Sequence, residues 1–92
     1  MEKFGEFIRK HRERKKLPLR KIAAELDIDT SILSKIERSE RFANSYQIPI
    51  LSKVLEIDYK KLQILYLTEK ISSEYGDEKY LEEALYQIIK TR

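Results

Sequence analysis

The sequence predicts an all-α domain of five to six helices, and three observations lead there. Apolar residues recur three and four positions apart in one segment after another, the spacing of a helix face. Only two Gly and two Pro occur in 92 residues, with 41% hydrophobic and 38% charged residues, which favours a compact helical chain over disorder or collagen. The polar breaks between apolar segments hold Asp29, Asp58 and Asp77, residues suited to helix N-caps. A chain of this length fits one core.

Phe4, Phe7, Ile8 and His11 mark a first helix from Lys3 to about Lys15, redirected by Leu17-Pro18. Pro18 suits the first turn of a short second helix, whose Leu19, Ile22, Ala23 and Leu26 form one stripe before Asp27-Ile28-Asp29. Asp29 then reads as the N-cap of a third helix from Thr30 to about Ser39. Ile48, Ile50, Leu51, Val54 and Leu55 define a fourth, which Pro49 forces to begin late, near Gln47, or to be irregular in its first turn. Asp58 reads as the N-cap of a fifth helix from Tyr59 to about Ser73, ending before Gly76. This helix carries two apolar stripes: Tyr59, Leu62, Leu65 and Tyr66 on one, Ile64, Leu67, Ile71 and Tyr75 on the other. The last helix is expected to open at Asp77 and to present Tyr80, Leu81, Ala84, Leu85, Ile88 and Ile89 on one broad face.

Composition also excludes. Without cysteine and with a single His, the chain can have no disulfide framework, thiol nucleophile or Cys-bearing zinc site, and it suits a reducing cytoplasm. No nucleophile with a base, metal cluster or Gly-rich phosphate loop is visible, so neither an enzyme nor a cofactor is expected. The apolar runs are far too short to span a bilayer and no signal-peptide segment is visible, so neither membrane nor export is indicated. His11 lies on the inward stripe of the first helix and reads as a partly buried side chain rather than a base or ligand. The tyrosines, mostly on apolar stripes of the C-terminal half, read as core or interface rather than as stacking platforms for single strands.

The formal net charge of +3 is unevenly spread. Residues 1–46 hold 12 Lys/Arg against 8 Asp/Glu, and residues 47–92 hold 7 against 8. Eight of the basic residues fall between Arg9 and Lys21, with Glu13 the single acid among them. By itself this cluster is either a footprint for a polyanion or a solvated helix face.

Residues 17–38 narrow the choice. Helix, tight turn and helix occupy just over twenty residues, the proportions in which a second helix can enter a major groove while the first crosses the backbone. The second helix is polar on one side, with Thr30, Ser31, Ser34, Lys35 and Arg38, and apolar on the other, with Ile32, Leu33 and Ile36. Lysine can donate to guanine, hydroxyls can bond either partner, and a threonine methyl can pack on thymine.

Ala23, Leu26, Ile28, Leu33 and Ile36, followed by Glu37-Arg38-Ser39, occur in an order that resembles the helix-turn-helix domain of the XRE family, the phage lambda repressor and Cro group, across residues 3 to about 67. Pro18-Leu19 stands where that family carries Ser/Thr-Gln, and Asp27 and Ser39 stand where it carries glycine. The resemblance implies a lambda-repressor-like domain over residues 1–70, and residues 71–92, beyond it, read as a helical extension that serves as the dimerisation element of the same compact unit. The resemblance implies a sequence-specific double-stranded DNA-binding regulator of transcription, a repressor or a restriction-modification controller, acting as a homodimer on a palindromic or pseudo-palindromic operator. Thr30, Ser31, Ser34 and Lys35 are the expected base contacts and Arg20, Lys21, Arg38 and Arg41 the expected phosphate contacts. Arg12 and Glu37 are expected to form a structural ion pair. Ile64, Leu67, Ile71, Tyr75, Leu81, Leu85 and Ile88 are the expected dimer interface. The rival reading is an antitoxin or partner-binding module whose C-terminal helices clasp another protein.

Overall fold

The computed structural model describes residues 2–92, so Met1, at which the first unit begins in the sequence reading, lies outside it. The protein is all-helical, with α1 (Phe4–Arg14), α2 (Leu19–Leu26), α3 (Thr30–Glu37), α4 (Gln47–Leu55), α5 (Tyr59–Tyr75) and α6 (Leu81–Lys90). α1 packs on α3, α4 and α5; α2 packs on α3 and α4; α4 packs on α5. Their shared core centres on Ile8, Ile22, Leu33, Ile48, Leu51, Leu55, Leu62 and Tyr66. The Tyr66 hydroxyl donates to the carbonyl of Ala43 at 2.7 Å, so the one buried tyrosine satisfies its polar end while its ring meets Phe4 edge-on at 5.6 Å.

Four helices end in the same way. After α1, α2, α3 and α4 a single residue turns left-handed, at Lys16 (φ 57°), Asp27 (φ 55°), Ser39 (φ 63°) and Glu56 (φ 55°). The next amide then reaches back to a carbonyl five residues earlier: Leu17 to Arg12, Ile28 to Ala23, Glu40 to Lys35 and Ile57 to Ser52. This closes the orphan carbonyls of each helix end, a task glycine usually performs and none of these positions gives to glycine.

Glycine is used instead for close approach. A Cβ on Gly5 would collide with the carbonyl oxygen of Ile36 and lie 2.7 Å from that of Glu37, so α1 rests directly on the backbone at the end of α3. Across from it, Glu69 on α5 accepts the amide of Phe4 at 2.6 Å and caps the N-terminus of α1 from 65 residues away.

Several boundaries differ from the sequence reading. Asp29 occupies the N-cap position of α3, but its carboxylate makes no hydrogen bond there, and α3 stops at Glu37 rather than near Ser39 because Ser39 has turned left-handed. Asp58 does cap α5, accepting from the amide of Lys61 at 2.9 Å. Pro49 costs nothing at the start of α4, since it lies in the first turn, where amides have no intrahelical partner. Asp77 does not open α6. Residues 76–80 form turns, with the amide of Glu78 bonded to Tyr75 and that of Leu81 to Glu78, and Tyr80 (φ 67°) is the residue before the helix rather than part of its face. The division expected at residue 70 falls inside the continuous helix α5.

The fate of the second stripe of α5 is the largest difference from a simple bundle. Ile64, Leu67 and Tyr75 are exposed, and Ile71 is half-buried. Leu67 and Ile71 line a groove of about 420 Å³ together with Leu81 and Leu85, so α6 turns back beside part of that stripe within the same chain without closing over it. Ile64 is left outside it, and α6 buries no residue completely. The radius of gyration, 14.5 Å, exceeds the roughly 12 Å of a compact chain this long, in keeping with extents of 42 × 23 × 23 Å.

Candidate nucleic-acid interface

α2, the Asp27 turn and α3 form a helix-turn-helix unit whose inner side is fixed by Ala23, Leu26, Leu33 and Ile36. Ala23, buried beneath α3, leaves room for the two helices to approach. Burial of Leu33 and Ile36 determines which face of α3 looks outward. Thr30, Ser31 and Lys35 are exposed there, Ser34 is half-buried, and Arg38 is exposed at the end of the helix. The fold thus brings the four expected base contacts onto one surface.

The orientation of α3 is locked by an ion pair. Arg12 donates through Nε to Glu37 Oε2 at 2.7 Å and through a second guanidinium nitrogen to Oε1 at 2.9 Å. A third donation, to the carbonyl of Leu17 at 2.8 Å, ties the same guanidinium to the segment leading into α2. The two side chains are 11% and 6% exposed, so this fork sits largely away from water. Glu37 holds the Arg12 guanidinium above its usual range, through the hydrogen bond first, with burial opposing it.

Of the expected phosphate contacts, Arg20 and Lys21 are exposed on the first turn of α2, and Arg41 is exposed beyond α3. No side chain caps the N-terminus of α2, which leaves the positive end of that helix beside Arg20 open to an anion. Arg38 has a different status. Its Nε donates to Glu40 Oε2 at 2.6 Å and another nitrogen donates to Ser34 Oγ at 2.8 Å. Glu40 raises the pKa of Arg38, chiefly through that bond, and Arg38 lowers that of Glu40 in return. Ser34, an expected base contact, is therefore bonded to Arg38, an expected phosphate contact, which is itself bonded to the acid Glu40.

One further residue joins them. Arg9, Arg12, Leu19, Ser34, Glu37 and Arg38 line a depression of about 200 Å³ between α1, α2 and α3. Arg9, bonded to Glu13 at 3.3 Å, is set beside Ser34 and Arg38, although it was only one member of the basic cluster in the sequence. That cluster could not indicate which cations face α3, because the answer depends on how α1 crosses it.

His11 is half-buried, with Nδ1 2.9 Å from the carbonyl of Phe7 and its ring tilted against that of Phe7 at 4.4 Å. Among the described residues, no group of His, Asp or Glu is arranged to hold a metal ion, and no helix is long and apolar enough to cross a membrane. Tyr66 alone among the tyrosines is buried; Tyr46, Tyr59, Tyr75, Tyr80 and Tyr86 are exposed. Comparison with family models, curated proteins and solved structures finds no match to this chain.

Proposed function

We propose that the protein is a sequence-specific double-stranded DNA-binding regulator of transcription, of the helix-turn-helix kind that the XRE resemblance implies. One observation carries the reading: α3 turns Thr30, Ser31, Ser34 and Lys35 outward while Leu33 and Ile36 are buried beneath it, with Arg20 and Lys21 on the flanking helix. Hydroxyls and an ammonium on one exposed helix can bond base edges in a major groove, and guanidinium and ammonium groups beside them can hold the strand. In this reading the protein is a binding module rather than an enzyme, needs no cofactor, works in the cytoplasm, and acts as a homodimeric repressor or controller on a two-half-site operator.

A partner-binding, antitoxin-like role is the second reading. It is favoured by the exposed Ile64, Tyr75, Tyr86, Ile88 and Ile89, which lie away from α3.

Selection of bound sequences from random duplex DNA at a stated salt concentration tests the proposal, with Lys35→Ala as the companion variant. The expected result is a symmetric preferred site and a loss of about 1 to 3 kcal/mol for the variant, with relaxed preference at one position per half-site. No enrichment by the wild-type chain would overturn the reading. Equal weakening on every sequence would make Lys35 a phosphate contact.

A further inference from the structure

From the proposed homodimer onward, we infer that two copies pair through an antiparallel contact of α6 with α6, centred on Tyr86, in which Glu82 of one copy meets Lys90 of the other. Three observations lead to a second copy as the occupant.

The first is that α6 lacks enough support from its own chain. It buries no residue completely, and Tyr86 and Ile89 are 69% and 71% exposed. A helix of 10 residues is marginal in water without an apolar surface to cover it. The groove to Leu67 and Ile71 engages Leu81 and Leu85, which leaves the side bearing Tyr86 and Ile89 uncovered.

The second is the charge order along that side. Glu82 lies four residues before Tyr86 and Lys90 four residues after it, so the three share one helical stripe. Glu82 and Glu83 occupy the first turn and Lys90 the last. A stripe that runs acid, aromatic, base complements a reversed copy of itself. About a twofold axis beside Tyr86, both acid-base pairs form at once and the helix dipoles oppose favourably, whereas a parallel pair would set like charges side by side.

The third is the shape of the molecule. Among the described residues, every fully buried one lies at or before Tyr66, so α6 and the last turns of α5 lie outside the single-chain core.

Light scattering and sedimentation across micromolar concentrations test the inference on the full chain, with helix content followed by circular dichroism. Wild type is expected to dimerise. Lys90→Glu and Glu82→Lys should each weaken dimerisation on the order of tenfold or more, and the double charge swap should restore it to within about threefold. A second measurement covers loss of helix in the charge variants. Since the chain has no cysteine, Tyr86→Cys should oxidise readily to a linked dimer. Lys90→Cys should not, because the two copies of that position lie roughly 12 Å apart along the axis. A monomeric wild type, single charge variants that dimerise like wild type, a swap that keeps its helix without restoring the dimer, or efficient linkage through position 90 would each overturn the inference. Duplex DNA carrying one half-site reports separately on DNA binding: a wild type that dimerises as described but binds no duplex retires the DNA reading and leaves this one standing.

Discussion

Arg12 and Glu37 join the last turn of α1 to the last residue of α3 through two charge-assisted hydrogen bonds of 2.7 and 2.9 Å. Because the candidate base-reading side chains stand on α3, this pair orients the surface without belonging to it. Gly5, whose missing side chain admits the backbone of Ile36 and Glu37, performs the matching task two turns earlier on the same face of α1.

Removing one member of the Arg12–Glu37 pair strands the other. Arg12→Ala is expected to cost about 3 to 5 kcal/mol of stability, measured by thermal or denaturant unfolding, while a double replacement of both residues by apolar ones of similar volume should recover much of it. A single variant as stable as wild type would show that the pair does not hold the helices.

Ser39 is left-handed, and its hydroxyl is buried without a hydrogen-bond partner. Glycine removes both penalties, against the added freedom it gives the unfolded chain. Ser39→Gly should therefore stabilise the protein by about 1 kcal/mol, seen as a higher Tm at unchanged helix content.

Arg38 is held by Glu40, so part of its charge is already answered within the protein. On the DNA-binding proposal, Glu40→Gln should release it to a phosphate, tightening binding at low salt and steepening the dependence of log affinity on log salt by about 1. If the slope stays the same, Arg38 is not among the phosphate contacts.

Lys15 Nζ lies 2.6 Å from Glu56 Oε2, joining the end of α1 to the end of α4. That hydrogen bond, and then the attraction of the ammonium, hold the Glu56 carboxyl below the usual glutamate range. A carboxyl depressed in the folded state stabilises it above its unfolded value of about 4.3, and the contribution is lost as pH falls through the folded value. The Tm advantage of wild type over Glu56→Gln should accordingly be constant near neutrality and vanish in acid once the carboxyl is protonated in the folded protein. An advantage that persisted there would assign the effect to something other than this ionisation.

The sequence by itself determined the features that depend on near neighbours. The spacing of Leu19, Ile22, Ala23 and Leu26, and of Leu33 and Ile36, was enough to define two short helices and to say which side of each turns inward, because a helix repeats its faces every three to four residues. The polar face of α3 followed as the remainder, and Asp27 at the turn was legible because aspartate enters the left-handed region more readily than most residues. Lys16 and Glu56 take the same conformation with no such signal, since the closing hydrogen bonds and the surrounding packing, not the side chain, hold them there. Tertiary structure alone decided that Arg9 gathers beside Ser34 and Arg38, and how Glu69 caps a helix 65 residues away. It also decided that α6 turns back so that Leu81 and Leu85 share a groove with Leu67 and Ile71 while Ile64 lies outside it. Those relationships join segments far apart in the chain, and local periodicity carries no information about the distance between two faces it defines separately.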